Sequence, residues 1–206
     1  MTTDEIAVPE HADEAGGVRH RGAYVEMLVS SLLGLVASLV LSVEAIALAK
    51  DPFGSLSCDL TEKISCSVVG LSWQASLLGF PNAFLGLISE PVVITLAVAA
   101  LGGVRFPRWF MLTAQGVYFI GFAFAYWLFY EAYFQIGALC PWCLLITVTT
   151  TLVFMSMTRV NILDNNFGLS PAMHARLSSW LRMGADIWGT LLLLAIVAAM
   201  IIVRYV

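Results

Sequence analysis

The sequence predicts an all-α integral membrane protein with five transmembrane helices, and three observations predict it. Of 206 residues, 60% are hydrophobic and 12% charged, with a mean hydropathy of +0.88, a profile foreign to soluble domains. Five stretches, Tyr24–Ala49, Asn82–Leu101, Pro107–Phe134, Leu139–Met157 and Asp186–Val203, are long enough to cross a core of about 30 Å at about 1.5 Å per helical residue. The polar segments between them carry Lys and Arg unevenly. Arg19, Arg21, Arg105, Arg108, Arg159, Arg176 and Arg182 fall on one side, and Lys50, Lys63 and Arg204 on the other. Backbone groups in lipid must be paired within their own segment, so the spans are helices.

The elements follow in order. Residues 1–18 read as a flexible tail, and five acids there (Asp4, Glu5, Glu10, Asp13, Glu14) account for more than the net charge of −4, which therefore says little about partners. The first span ends in an Ala47-x-Ala49 pattern resembling a cleavage site, but a secretory apolar core is only about 7–15 residues, so the span is read as retained. In the loop 50–81, "SWQASLLGF" has Trp73, Leu77 and Leu78 at helical spacing, which predicts a short amphipathic helix on the membrane surface. Gly34, Ala37, Gly86, Gly116, Gly121 and Ala123 are candidates for close helix approach. After the fourth span, Ser170 and Pro171 mark the N-cap and first position of a short basic helix. The chain thus divides into a tail, residues 1–18; a bundle, residues 19–160, including the loop 50–81; and residues 161–206, a linker with the fifth span.

The arginine-rich side is expected to be cytoplasmic. This places the N-terminus inside, the C-terminus outside, and loop 50–81 and residues 135–140 on the exoplasmic face of the cell (inner) membrane. No nucleic-acid partner is expected.

All four cysteines fall on that outer face. Cys58 and Cys66 have seven residues between them, and Cys140 and Cys143 form Cys-Pro-Trp-Cys where the fourth span begins. Disulfides persist in such a compartment, and four cysteines allow three pairings. Cys140 and Cys143 sit one helical turn apart. Pro141 at the first helical position puts Cys140 near the N-cap, where free N–H groups favour a thiolate, while Trp142 and the apolar run oppose it through desolvation. Three chemistries compete: static bridges in a structural subunit, a metal or redox-sensing site, and a relay using both pairs. The spacing is wrong for a zinc ribbon and His11, His20 and His174 lie on the other side, so no metal is expected. A dithiol at the bilayer edge can hand electrons to a lipid-soluble acceptor, and a quinone is the available kind.

The order of these features resembles the vitamin K epoxide reductase family, specifically a bacterial disulfide-forming member. It consists of the loop pair Cys58 and Cys66, then Ser72, then "NAFLG" (Asn82–Gly86) opening the second span, then Cys-x-x-Cys at the outer start of the fourth. DsbB-like proteins carry the two cysteine pairs in the reverse order. The resemblance implies a four-helix bundle around a quinone (menaquinone, ubiquinone or a vitamin K type), with the fifth helix as an extra. A separate exoplasmic thioredoxin-like, DsbA-like partner would attack the Cys58/Cys66 disulfide at Cys58. Cys66 would attack Cys140, and Cys143 would stand nearest the quinone, so the implied activity is a quinone-dependent oxidoreductase supporting disulfide formation. Asn82 would hydrogen-bond a quinone oxygen, Ser72 would help hold the cap, and Trp142 is a further candidate contact. Coumarin-sensitive members usually carry a tyrosine four residues after the second cysteine of Cys-x-x-Cys, where this chain has Thr147.

Other residues weigh less. Glu90, roughly 12 Å into the second span by helical rise, is read as a buried acid hydrogen-bonded to a neighbouring helix rather than a proton relay. Glu44 and Glu131, near the outer ends of their spans, are read as solvated rather than as shaping the acidity of the cysteine site. Asp59 and Glu62 would disfavour a thiolate at the loop cysteines and Lys63 would favour it. The aromatic run of the third span reads mostly as packing and interface anchoring.

Overall fold

The structure, a computed structural model, describes residues 11–205, with side chains from residue 20 onward. Asp4, Glu5 and Glu10 of the expected tail lie outside the described residues. The first helix, α1 (His11–Lys50), already includes residues 11–18, the end of that tail, and its membrane-crossing part is His20–Lys50. Four further helices are long and apolar enough to cross a membrane: α3 (Ala83–Leu101), α4 (Arg108–Glu131, continuing to Ile136), α5 (Pro141–Leu163) and α7 (Ala185–Tyr205). Between them lie α2 (Cys66–Gly70), a 3₁₀ turn (Trp73–Ser76) and α6 (Pro171–Arg182).

Prolines and short polar side chains set where helices begin. Pro107 precedes α4, Pro141 opens α5, and Pro171 opens α6 with Ser170 Oγ accepting from the Met173 amide, because the first turn has N–H groups without intrahelical partners. Seryl Oγ of residue 65 caps α2 in the same way.

Helix α1 packs along α3 and α5, and α4 along α5; α7 leans on α5 and α6 from outside. The interior seam is made of small polar residues. Ser31, Ser38 and Ser42 of α1 and Thr149, Thr151 and Ser156 of α5 are buried, while Leu32, Leu33, Val36 and Leu39 face outward. This inside-out pattern fits a bilayer, where lipid is as apolar as leucine and close backbone approach drives association. A Cβ at Gly34 would come within 3.1 Å of the Glu90 carboxyl and Thr149 Oγ1, and one at Gly86 would overlap the Ser38 side chain. Around Gly116 and Gly121 nothing lies within 4 Å, so the expectation that these two permit close approach is corrected: α4 uses larger residues, Met111, Gln115 and Tyr118, at its contacts.

Glu90 is held as expected, with the Tyr118 hydroxyl of α4 donating to both its carboxyl oxygens at 2.9 and 3.0 Å. Toward the arginine-rich end, Asn161 donates to Gln115 at 3.0 Å and Asn166 to Asn161 at 2.8 Å, while Arg108 donates to the Asn166 carbonyl. Arg159 pairs with Asp186 at 2.6 Å and His20 with Asp164 at 2.8 Å. These contacts fix the linker and leave the opposite end of the bundle to the cysteines.

Candidate redox site

Two backbone hydrogen bonds build the site. After α4, a π-helical turn (Ala132–Ile136) ends at Gly137 with φ +74°, a left-handed conformation suited to glycine. The chain then runs extended past the loop: the Leu139 amide donates to the Lys63 carbonyl at 2.9 Å and the Ser65 amide to the Leu139 carbonyl at 3.0 Å. Residue 66 is thereby held beside residue 140. Cys66 Sγ lies 3.2 Å from Cys140 Sγ, and both side chains are almost wholly buried.

Loop geometry rests on Asp59. Its carboxylate accepts from the Leu56 amide at 2.7 Å, Ser65 Oγ at 2.7 Å and the Ser67 amide at 3.0 Å. Partial burial pushes this carboxyl up, but the hydrogen bonds from Ser67, Leu56 and Ser65 outweigh it and hold the group well below the usual carboxylate range. Cys58 and Cys66 are joined in a disulfide with Cα atoms 5.7 Å apart, and Cys140 and Cys143 are free. Cys140 is the N-cap of α5, its sulfur accepting from the Cys143 amide at 3.4 Å. Hydrogen bonds from the Cys143 thiol and amide and the Trp142 amide hold the Cys140 thiol below its ordinary range, against the burial that pushes it up.

Leu41, Leu56, Val69, Trp142 and Cys143 pack around the buried cysteines. The disulfide loop is thus sealed against α1 and the start of α5. The surface helix expected at "SWQASLLGF" is a single 3₁₀ turn, Trp73–Ser76, with Ser72 at its N-cap and Leu77 at its C-cap; the chain then turns again, the Gly79 amide, at φ +84°, donating to the Ser76 carbonyl at 3.0 Å. Gln74 is the buried residue of that turn, donating to Glu131 at 3.0 Å.

The sequence profile described as "Vitamin K epoxide reductase family" matches residues 25–158, well over half of the chain. This chain belongs to that family. No curated protein sequence matches it. The vitamin K epoxide reductase match spans both cysteine pairs, α3 and α4 but not α6 or α7, and membership with the Cys58–Cys66 disulfide makes the protein a multi-pass membrane thiol oxidoreductase.

Against that membership the named residues fall as follows. All four cysteines converge, with Trp142 beside them. Ser72 Oγ donates to the Val69 carbonyl at 2.6 Å, tying α2 to the 3₁₀ turn. Asn82 Nδ2 donates to the Gln74 carbonyl at 2.6 Å, while its buried Oδ1 has no partner, and Ser38 Oγ, against Gly86 one helical turn deeper, is likewise unpartnered. Thr147, at the family's tyrosine position, turns its hydroxyl back to the Cys143 carbonyl at 3.0 Å. Two apolar grooves of about 300 and 350 Å³, one bordered by Pro91, Phe106 and Phe110 and the other by Gln115, Phe154 and Phe167, lie away from the cysteines.

Glu44 is where the structure departs most from expectation. It is buried rather than solvated, with its carboxyl 3.2 Å from Cys58 Sγ. An acid inside a spanning helix is a signal that sequence offers; its partner in a loop 14 residues away is not. Glu44, Cys58 and Cys66 are also a group of metal-capable donors within 4.8 Å, but the disulfide removes the two thiolates such a site needs. Glu131, also expected to be solvated, is half-buried beneath Gln74.

Proposed function

We propose that the protein is a quinone-dependent, disulfide-generating oxidoreductase of the cell membrane. It reoxidises a separate exoplasmic thioredoxin-like protein by passing electrons from Cys58/Cys66 to Cys140/Cys143 and on to a membrane quinone. The observation that carries this reading is the 3.2 Å approach of Cys66 Sγ to Cys140 Sγ while Cys66 is still bonded to Cys58. A static bridge has no need of a third sulfur in contact with it, whereas thiol–disulfide exchange requires one within reach.

The steps follow from the residues. A partner thiolate attacks Cys58, and Cys66 leaves as thiolate. A second partner thiolate then completes the partner's disulfide and frees Cys58. Cys66 attacks Cys140 of an oxidised Cys140–Cys143 pair, expelling Cys143; Cys58 attacks Cys66, expelling Cys140. The loop disulfide is restored and the inner pair is left as two thiols, the oxidation state of this structure.

A quinone supplies a two-electron, two-proton acceptor for that inner pair. Its fit can be judged from unpartnered polar atoms. Asn82 Oδ1 and Ser38 Oγ are both buried without partners on the α1–α3 seam, and the second Asn82 N–H remains to donate. Asn82 can therefore bind a carbonyl through its N–H or a hydroxyl through Oδ1, Ser38 can add a second contact, and Trp142 can cover an apolar ring. Ser72 and the Asn82–Gln74 bond hold the cap over this end.

The test is quinone reduction followed optically in nanodiscs, with reduced thioredoxin as dithiol and menadione as acceptor. Replacing Cys66, Cys140 or Cys143 by alanine should abolish turnover. Wild-type rates in all three variants would rule the relay out.

A further inference from the structure

Glu44 of α1 is 8% exposed, and its carboxyl oxygens lie 3.2 and 3.4 Å from Cys58 Sγ. A carboxyl oxygen, Cys58 Sγ and Cys66 Sγ all fall within 4.8 Å of one another. A disulfide sulfur carries no hydrogen, so here the carboxyl and Cys58 are in plain contact; once Cys58 is freed as a thiol or thiolate, the same 3.2 Å separation lets one proton be shared between sulfur and carboxyl. Ser57 Oγ steadies the same carboxyl from 3.4 Å. The loop offers no better proton source: the three hydrogen bonds that Asp59 accepts keep it ionised.

We propose that Glu44 is a catalytic acid–base residue of the entry disulfide, protonating Cys58 when the partner releases it and removing that proton when Cys58 attacks Cys66. The inference rests on the relay proposed above. When the partner's second thiolate attacks the partner sulfur of the mixed disulfide, the partner's own disulfide forms, the bond to Cys58 breaks, and the electron pair stays on Cys58. Glu44 gives its proton to that thiolate and becomes a carboxylate. After Cys66 has attacked Cys140 and expelled Cys143, Glu44 takes the proton back as Cys58 forms its bond to Cys66 and Cys140 leaves with the electron pair. Glu44 neither gains nor loses a proton over the cycle. Its burial removes water as the competing proton donor, and a protonated Cys58 cannot fall back onto the partner's new disulfide.

The groups that face Glu44 are Ser57 and Asp59 from the loop, Cys58 and Cys66 of the disulfide, and Cys140 and Cys143 at the start of α5. Asp59 stays charged across the neutral range, so the pH response near neutrality belongs to Glu44 and the thiols.

The experiment measures menadione reduction by dithiothreitol in nanodiscs from pH 6.5 to 9, subtracting the rate of Cys143→Ala. Glu44→Gln should lower turnover about 100-fold at pH 6.5 and recover to within about 5-fold by pH 9, as hydroxide replaces the missing base. The wild-type rate at each pH is the reference, because the dithiothreitol thiolate fraction rises over this range for every variant. Glu44→Asp, which keeps a carboxyl, should lose rate by a similar factor at every pH, and it decides the matter if Glu44→Gln fails to fold. A Glu44→Gln rate within 3-fold of wild type at every pH, a Glu44→Gln deficit equal at every pH, or a Glu44→Asp deficit that shrinks with rising pH would each overturn the proposal. If wild type itself shows no turnover, the relay reading has failed, and Glu44 is judged by Cys58 alkylation in the Cys66→Ala, Cys140→Ala, Cys143→Ala chain. There a shared proton gives two steps with Glu44 and one with Gln; one step in both excludes the pairing.

Discussion

Asp59 lies between the two loop cysteines in sequence and gathers the loop around a single carboxylate. The amides of Leu56 and Ser67 and the hydroxyl of Ser65 all donate to it, and Ser65 is the residue whose amide reaches Leu139. Removing the charge therefore loosens the register that brings Cys66 to Cys140, not only the loop. Hydrogen bonds to a charged acceptor are worth about 1.5–3 kcal/mol each when buried, less when half-exposed as here. Asp59→Asn is expected to raise amide exchange at Ser67 and Leu56 about 10-fold and to slow transfer between the two cysteine pairs, read by hydrogen–deuterium exchange and rapid quench. The sign with pH follows from the depressed titration of this carboxyl. Its contribution is complete above the unfolded value near 4 and disappears only as pH falls through the lower folded value. Exchange protection at Ser67 should hence be constant from pH 5 to 8 after correction for intrinsic rates; a loss of protection already near pH 6 would show that another group holds the loop.

At the scale of elements, helix existence was legible and helix contacts were not. Length and hydropathy locate all five spans, four of them to within four residues at each end and the fourth ending six residues short, at Met157 where the helix runs to Leu163, because the bilayer imposes a minimum length on every one of them. The same uniformity removes the amphipathic stripe that would reveal which face packs where, so Gly86 and Gly121 look alike in sequence although only Gly86 meets a neighbouring helix. The surface turn was legible in place but not in length, since apolar spacing does not encode the second turn that the Gly79 amide closes onto Ser76. Gly86 offers a direct check on the α1–α3 seam. Gly86→Ala should cost about 2 kcal/mol by overpacking against Ser38, lowering the thermal midpoint in detergent. Ser38→Gly in the same chain should recover more than half of that loss, because the two side chains compete for one space. Additive destabilisation in the double variant would mean that the helices do not meet there.

For the whole molecule, the two cysteine pairs were legible as an order of motifs, while the contact between Glu44 and Cys58 was not, because the two come together only through the return of the loop onto α1. Sidedness joins the two scales. The cysteines, Lys50, Lys63 and Arg204 occupy one end of the bundle and the remaining described arginines the other, with Arg176 and Arg182 on α6. The imbalance argues that the arginine-rich end faces the cytoplasm, and the loop disulfide argues the same, since such bonds persist on the oxidising side of a membrane. These arguments are independent: one concerns insertion, the other chemistry after insertion. Cells treated with an impermeant phosphine and then an impermeant maleimide should label the native cysteines in intact spheroplasts. A Ser179→Cys chain lacking the four native cysteines, with its single thiol on the exposed face of α6, should label only after permeabilisation. Labelling of residue 179 from outside, with the native cysteines protected, would invert the molecule. The partner and the oxidising compartment would then be on the wrong side for the relay, and the loop disulfide would have to be maintained against the reducing cytoplasm.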